Sequence, residues 1–304
     1  MKRQNIILIT IDSLRADHLG FMGYQKNISP NIDRLADESV VFTNAFANGP
    51  VTPHSFPSSL TSTYPLDYQG PRKIDRPRVL ISEVLKRYGF ITAAFHSNAY
   101  LSSFFGYNRG WDYFEDIIPD YDLLLSFGRK SFKREIFKKW LLFLAKISFS
   151  FSPEMTFRIR YLFYKFGLLR TTPKSVAPAS YINQITEDFI SSIKNENRPF
   201  FCWIHYMDVH LPYFPYDCYF KDRKLSYHEL VSKELPGFLS EKYFFEGPFK
   251  KFSQKYLKNT IDFYDQGIKY LDEQIGDFIS FLREAGVYQD TIIFLTADHG
   301  DEFL

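Results

Sequence analysis

The chain has 304 residues, 45% of them hydrophobic, and a formal charge of +2 at neutral pH. That length is enough for one large α/β core or two smaller ones, and the near-balanced charge excludes a global nucleic-acid footprint. Two cysteines, Cys202 and Cys218, are too few for a disulfide framework or a cysteine-based metal site and agree with a reducing compartment. The 33 Phe and 21 Tyr show no basic-aromatic repeat and read as core and pocket lining. MKRQ runs straight into IILITID, which Asp12 interrupts too soon for a signal peptide, so a cytoplasmic start is expected.

Asn5 to Thr10 is a continuous apolar run of strand length, the pattern of a central strand buried on both faces. Asp12 then falls at the strand's carboxyl end, the edge where open α/β sheets bind ligands, and Asp12, Arg15 and Asp17 become candidate site groups. Ser29 and Pro30 open a short helix with Ile32, Leu35 and Ala36 on one side, and a strand is predicted at Val40 to Phe42. In GPVTPHSFPSSLTSTYP, residues 49–65, Gly49-Pro50 and Thr52-Pro53 break the backbone. Ser55 to Thr61 then predicts a helical turn or two whose unpaired N–H groups face Thr52. Such a helix start suits a tetrahedral phosphate or sulfate ester, although Ser-rich Thr-Pro stretches are mostly plain loops.

Arg78 to Tyr88 carries Val79, Ile81, Val84 and Leu85 at roughly helical spacing, and Gly89 closes it. The β-branched FITAAFHSNAY that follows predicts a strand ending near His96 and Asn98; a lone histidine there is more often structural than functional. Lys130 to Arg170 holds ten Lys or Arg against two Glu, interleaved with WLLFLAKISFSF and YLFYKFGLL. Residues 125–172 therefore read as a basic helical insertion, two amphipathic helices broken near Pro153. They suit a lid or peripheral contact with an anionic membrane, and are too short to span one. Ile182, Ile185, Phe189, Ile190 and Ile193 form a helical stripe, and Phe200 to His205 a buried strand. Asp208 and His210 follow in a loop stiffened by Pro212, whereas the aromatic stretch 213–249 shows no clear periodicity. A long amphipathic helix runs from Leu257 to Leu282 and ends around Gly286. The last strand, Thr291 to Thr296, delivers Asp298 and His299.

The expected fold is α/β, a mainly parallel central sheet with helices on both faces. In a parallel sheet the strand ends share one edge, so Asp12, Thr52, Asp298 and His299 converge. Two carboxylates, an imidazole and a hydroxyl suit a divalent metal that lowers the hydroxyl's pKa for in-line attack. The imidazole favours manganese or zinc over calcium or magnesium. His210 is suited to bind the ester oxygens or protonate the leaving group. Arg15, His54, Asn98 and Asp208 are the candidate substrate contacts.

Four segments carry a family resemblance: NIILITIDSLRADHLG, SPNIDRLADESVVFTNAFA, the residue 52 loop ending LTSTYP, and YDQGIKYLDEQIGDFISFLREAGVYQDTIIFLTADHGDEF. Together they resemble the sulfatase family of the alkaline phosphatase superfamily over about residues 5–115 and 178–303. The resemblance implies an alkaline phosphatase-like domain over 1–304 and a hydrolase of sulfuric or phosphoric esters. It puts the metal on Asp12, Asp298 and His299, the nucleophile at Thr52 and a substrate-contacting histidine at His210. This chain departs from the familiar pattern with Thr52 in place of a formylglycine-forming Cys or Ser, Phe56 in place of an Arg, and Ser13 in place of a second Asp. The Lys and His that relatives often carry after the next strand fall near Ser97 and Ala99. It stops five residues after His299, where relatives continue. A threonine nucleophile looks more like the phosphonate and phosphodiester hydrolases and the phosphoglycerol or phosphoethanolamine transferases. The expected partner is a small anionic ester, free or linked to a glycan or lipid, with no nucleic acid. The alternative is a family member that binds an anion or membrane without turnover.

Overall fold

The computed structural model describes residues 3–69, 73–74, 77–117, 177–211, 213 and 254–303. The predicted basic insertion, Pro212 and the aromatic stretch 214–249 lie outside the described residues. The ordered elements are β1 (Asn5–Ile11), α1 (Pro30–Asp37), α2 (Thr52–Thr61), α3 (Ile81–Arg87), β2 (Ile91–His96), β3 (Tyr113–Asp116), α4 (Ala179–Ile193), β4 (Phe200–Tyr206), α5 (Gln254–Glu284) and β5 (Thr291–Ala297).

The five strands form one sheet in the order β3-β2-β4-β1-β5, and every neighbouring pair is parallel. Side-chain alternation divides the apolar residues between its two faces. Ile7, Ile9 and Ile11, with Cys202, Ile204 and Tyr206, meet α4 and α5, whose Ile182, Ile190, Ile268, Leu271, Ile275 and Phe278 complete the larger core. Phe201 and Trp203 point the other way and pack with Phe56 and Leu60 of α2 and with Leu80 just before α3. This two-sided burial explains why β1 and β4 read as unbroken apolar runs. Gly286, at φ +71, reverses the chain after α5 so that β5 can pair with β1.

Helix α1 is fastened to α5 by a buried carboxylate. Asp272 Oδ1 accepts from the N–H of Ile32 at 2.8 Å and of Asn31 at 3.0 Å, and Oδ2 accepts from Asn31 Nδ2 at 2.9 Å. The two backbone N–H groups are donors that the first turn of a helix leaves unpaired. Val40 to Phe42, expected as a strand, has no ladder partner among the described residues. Val40 and Phe42 are about four-fifths exposed, at 82% and 80%. Apolar β-branched composition does not make a strand where no neighbouring backbone is available.

Candidate metal and nucleophile centre

Because the sheet is parallel, the residues that follow β1, β2, β4 and β5 gather at one edge. Asp12 is fully buried there. Its Oδ2 accepts from Asn98 Nδ2 at 2.9 Å and from the Thr52 hydroxyl at 3.1 Å, while Oδ1 accepts from the Ser13 hydroxyl at 2.9 Å. Asp298 Oδ1 accepts from the N–H of Ser13 at 3.1 Å and of His299 at 2.8 Å. Ser13 presents that amide from a left-handed conformation, φ +61, which is costly for a residue with a Cβ.

Thr52 opens α2 instead of preceding it. Pro53 carries no N–H, and the N–H groups of His54 and Ser55 both turn back to Val51 O, at 2.9 and 3.1 Å. The expected cradle of free helix donors around Thr52 is therefore absent, because proline and the first turn consume them. What α2 contributes is position. The Ser55 hydroxyl donates to Asp298 O at 2.5 Å, and Thr52 Oγ1 lies 3.4 Å from His299 Nε2.

The donor set fits a cation. Ligand atoms of Asp12, Asp298 and His299 lie within 4.8 Å of one another. His299 Nδ1 donates to Gly300 O at 2.6 Å, which leaves Nε2 facing Asp12 Oδ1 and Asp298 Oδ2, each at 3.5 Å. Buried Asp298 Oδ2 accepts no hydrogen bond among the described residues. Electron-rich atoms that converge out of reach of water need a proton or a metal between them. The electrostatics agree. Burial, and then repulsion from Asp12, push the Asp298 carboxyl up to about 7. Burial also works against Asp12, but His210, His205 and His299 together outweigh it and hold that carboxyl well below the usual range.

The remaining sequence candidates separate into near and far. His210 stands on the open side, with Nδ1 donating to Leu211 O and Nε2 4.0 Å from Asp12 Oδ1. Asn98 spends Nδ2 on Asp12 and Oδ1 on the N–H of Tyr100 at 2.9 Å, so its amide is locked inside the cluster. Arg15 pairs with Asp17 through Nε and Nη2 at 2.9 and 2.7 Å and with Asp301 O at 2.6 Å, and lies over the Phe303 ring. Asp208 Oδ1 accepts from the N–H of Ala179 at 3.1 Å and so anchors the first turn of α4. His54 is half-buried against Gly49 and makes no hydrogen bond to the cluster among the described residues.

One member of the centre was not picked out from the sequence. His205, inside the apolar run of β4, is fully buried with Nε2 3.4 Å from Asp12 Oδ2. Its signal was an imidazole within a strand covered on both faces, where a polar ring must find a partner.

A family model described as Sulfatase matches residues 4–303. The chain belongs to the sulfatase family. It is similar to iduronate 2-sulfatase of Mus musculus, 24% identical over 326 aligned positions that span 97% of this chain and 54% of that protein. Among solved structures it is similar to the phosphonate monoester hydrolase of Agrobacterium radiobacter, with a TM-score of 0.62 and 18% identity over 99% of this chain and 63% of that one. It is also similar to the lipoteichoic acid synthase LtaP of Listeria monocytogenes, with a TM-score of 0.60 and 16% identity over 99% of this chain and 57% of that one. At these identities the structures speak to the fold alone. This sulfatase-family chain thus spans little more than half the length of such relatives.

Proposed function

We propose that the chain forms the core of a divalent-cation-dependent esterase that works through a covalent Thr52 intermediate on a phosphoric or sulfuric ester. The observation that carries the reading is Thr52 Oγ1, 3.1 Å from Asp12 Oδ2 and 3.4 Å from His299 Nε2 at the mouth of the acidic and imidazole cluster. Asp12, Asp298, His299 and the Thr52 oxygen would hold the cation, which when bound lowers the hydroxyl's pKa and offsets charge on the ester oxygens. The imidazole among these ligands favours manganese or zinc.

The chain's own groups account for the rest. The hydrogen bond to Asp12 Oδ2 orients the Thr52 oxygen, which gives its proton to solvent and bonds to phosphorus or sulfur as the opposite ester bond breaks. His210, on the exposed side, delivers a proton from Nε2 to the departing oxygen and accepts one from the incoming water when the Thr52 ester is cleaved. The hydrogen bond from Thr52 Oγ1 to Asp12 Oδ2 sets the direction of the oxygen at the start of α2. Thr52 in place of a formylglycine precursor, together with Phe56 in place of an arginine, favours phosphate and phosphonate esters over sulfate esters.

A panel of aryl phosphate, phosphodiester, phosphonate and sulfate esters, each with manganese, zinc, magnesium or calcium, tests this reading. Turnover with one of the first three, lost in Thr52→Ala and accompanied by a phosphoryl-sized mass increment on the wild-type chain, supports it. Inactivity across the panel in a full-length protein points instead to anion binding without turnover. A second reading is transfer to an alcohol, which the threonine nucleophile favours; added glycerol would then divert product from free phosphate to the glycerol ester. Among the described residues no helix is long and apolar enough to cross a membrane. The basic composition of 130–170 supports a peripheral contact, read by salt-sensitive co-sedimentation with anionic liposomes.

A further inference from the structure

We propose that His205 is a positioning residue for the cation centre: held in its Nε2–H tautomer by Thr10 and Trp203, it sets that proton against Asp12 Oδ2 from the α2 face of the sheet and fixes the carboxylate for the cation. The proposal rests on the reading above that Asp12 is a cation ligand. Thr10 and His205 are register partners on β1 and β4, and both are buried. Trp203 Nε1 donates to Thr10 Oγ1 at 2.9 Å. An indole N–H can only donate, so the hydroxyl accepts from Trp203 and has one proton to give.

Two acceptors compete for it, His205 Nδ1 at 2.9 Å and Ile204 O at 3.2 Å. The far side of the ring decides. If Nδ1 carried the ring proton, the bare Nε2 lone pair would face the Asp12 carboxylate at 3.4 Å in a water-free interior. With the proton on Nε2 that contact is attractive, and Nδ1 is free to accept from Thr10. Burial lowers the pKa of His205, which agrees with a neutral ring. Buried Nε2 makes no hydrogen bond among the described residues, and the carboxylate oxygen it faces is Asp12 Oδ2, at 3.4 Å.

Phe56 closes the arrangement. It is fully buried and meets His205 edge to face with centroids 4.9 Å apart and planes at 89°. Around His205 the neighbours are thus aromatic, Phe56 on one side and Trp203 on the strand beside it. Asn98 and Thr52 also reach Oδ2, but both come from the site side. His205, fully buried, reaches Oδ2 from β4 on the face that α2 covers. Outer groups of this kind typically change metal affinity by about ten- to a hundred-fold when removed.

Two measurements test this without turnover. The first is the ¹⁵N spectrum of ring-labelled histidine in cation-free protein, assigned with His205→Gln. The Nε2–H pattern for His205, shifted in Thr10→Val, is expected; an Nδ1–H pattern would overturn the proposal. The second is calorimetric titration with manganese and zinc. Gln places an amide N–H near the imidazole Nε2 and is expected to stay within about three-fold of wild type, whereas His205→Leu is expected to weaken binding about ten- to a hundred-fold. Equal affinity in wild type, His205→Gln and His205→Leu, all folded by circular dichroism, would overturn it. Failure of wild type itself to bind either cation would instead refute the proposed function, and this inference with it.

Discussion

The Asp12–Asp298 pair makes a stability prediction that can be worked through. Burial and the neighbouring carboxylate raise Asp298 from 3.8 to about 7 in the folded chain. A folded-state pKa above the unfolded one means that the native state binds the extra proton. The cation-free fold therefore loses stability as pH rises between about 4 and about 7, by about 4 kcal/mol in total and about 3 kcal/mol from pH 5 upward. Asp298 is almost fully buried, so solvent screening removes little of this. Thermal denaturation with chelator present should give a midpoint several degrees lower at about pH 8 than at about pH 5. Asp298→Asn, which cannot ionise, should lose most of that difference and be the more stable protein at about pH 8. Manganese or zinc should restore wild type most at the higher pH and Asp298→Asn little at either. If wild type and Asp298→Asn show the same pH profile without cation, the carboxylates do not repel each other and the reasoning fails.

Other perturbations follow from the same contacts. Thr52→Ala should abolish turnover while leaving cation affinity within a few-fold by calorimetry, because the other three ligands remain. His210→Gln should slow esters with poor leaving groups more than activated aryl esters; equal slowing on a leaving-group series would exclude it as the proton donor. Asp265→Ala removes the acceptor shared by His18, Tyr24 and Lys26 at 2.8, 2.8 and 2.6 Å. It should cost about 3–5 kcal/mol in urea melts near neutral pH. Burial opposes ionisation of Asp265, but its three donors outweigh it and hold the carboxyl below its ordinary value. That contribution is present above the unfolded pKa and is lost as pH falls through the folded one. Asp272→Ala uncaps α1 from α5 and should cost about 1–3 kcal/mol in the same assay.

Much of this was legible in the residues because burial on both faces leaves a strong mark. β1, β2 and β4 read as apolar runs for this reason, β5 reads as one although its Ile292 and Phe294 stay exposed, and α4 and α5 carry clean stripes. β3 escaped because Tyr-Phe-Glu-Asp is short and polar, with only β2 beside it among the described residues. Val40 to Phe42 misled for the opposite reason, having strand composition without a pairing neighbour. The meeting of Asp12, Asp298 and His299 follows from parallel strand ends, whereas Thr52, at the start of α2, reaches them through the packing of that helix on the sheet. The donors around Thr52 do not follow, since Pro53 and the turn-back of His54 and Ser55 become visible only once the helix start is located. Ser13 and His205 were hidden too. One acts through a backbone amide in an unusual conformation, the other through an imidazole that looks like one more buried strand residue.

The most direct test of the central claim is anomalous diffraction from a crystal soaked in manganese or zinc. The account predicts one peak bounded by Asp12, Asp298 and His299, with the Thr52 oxygen in its coordination sphere. A peak elsewhere, or one that leaves Thr52 out of coordinating reach, would contradict it.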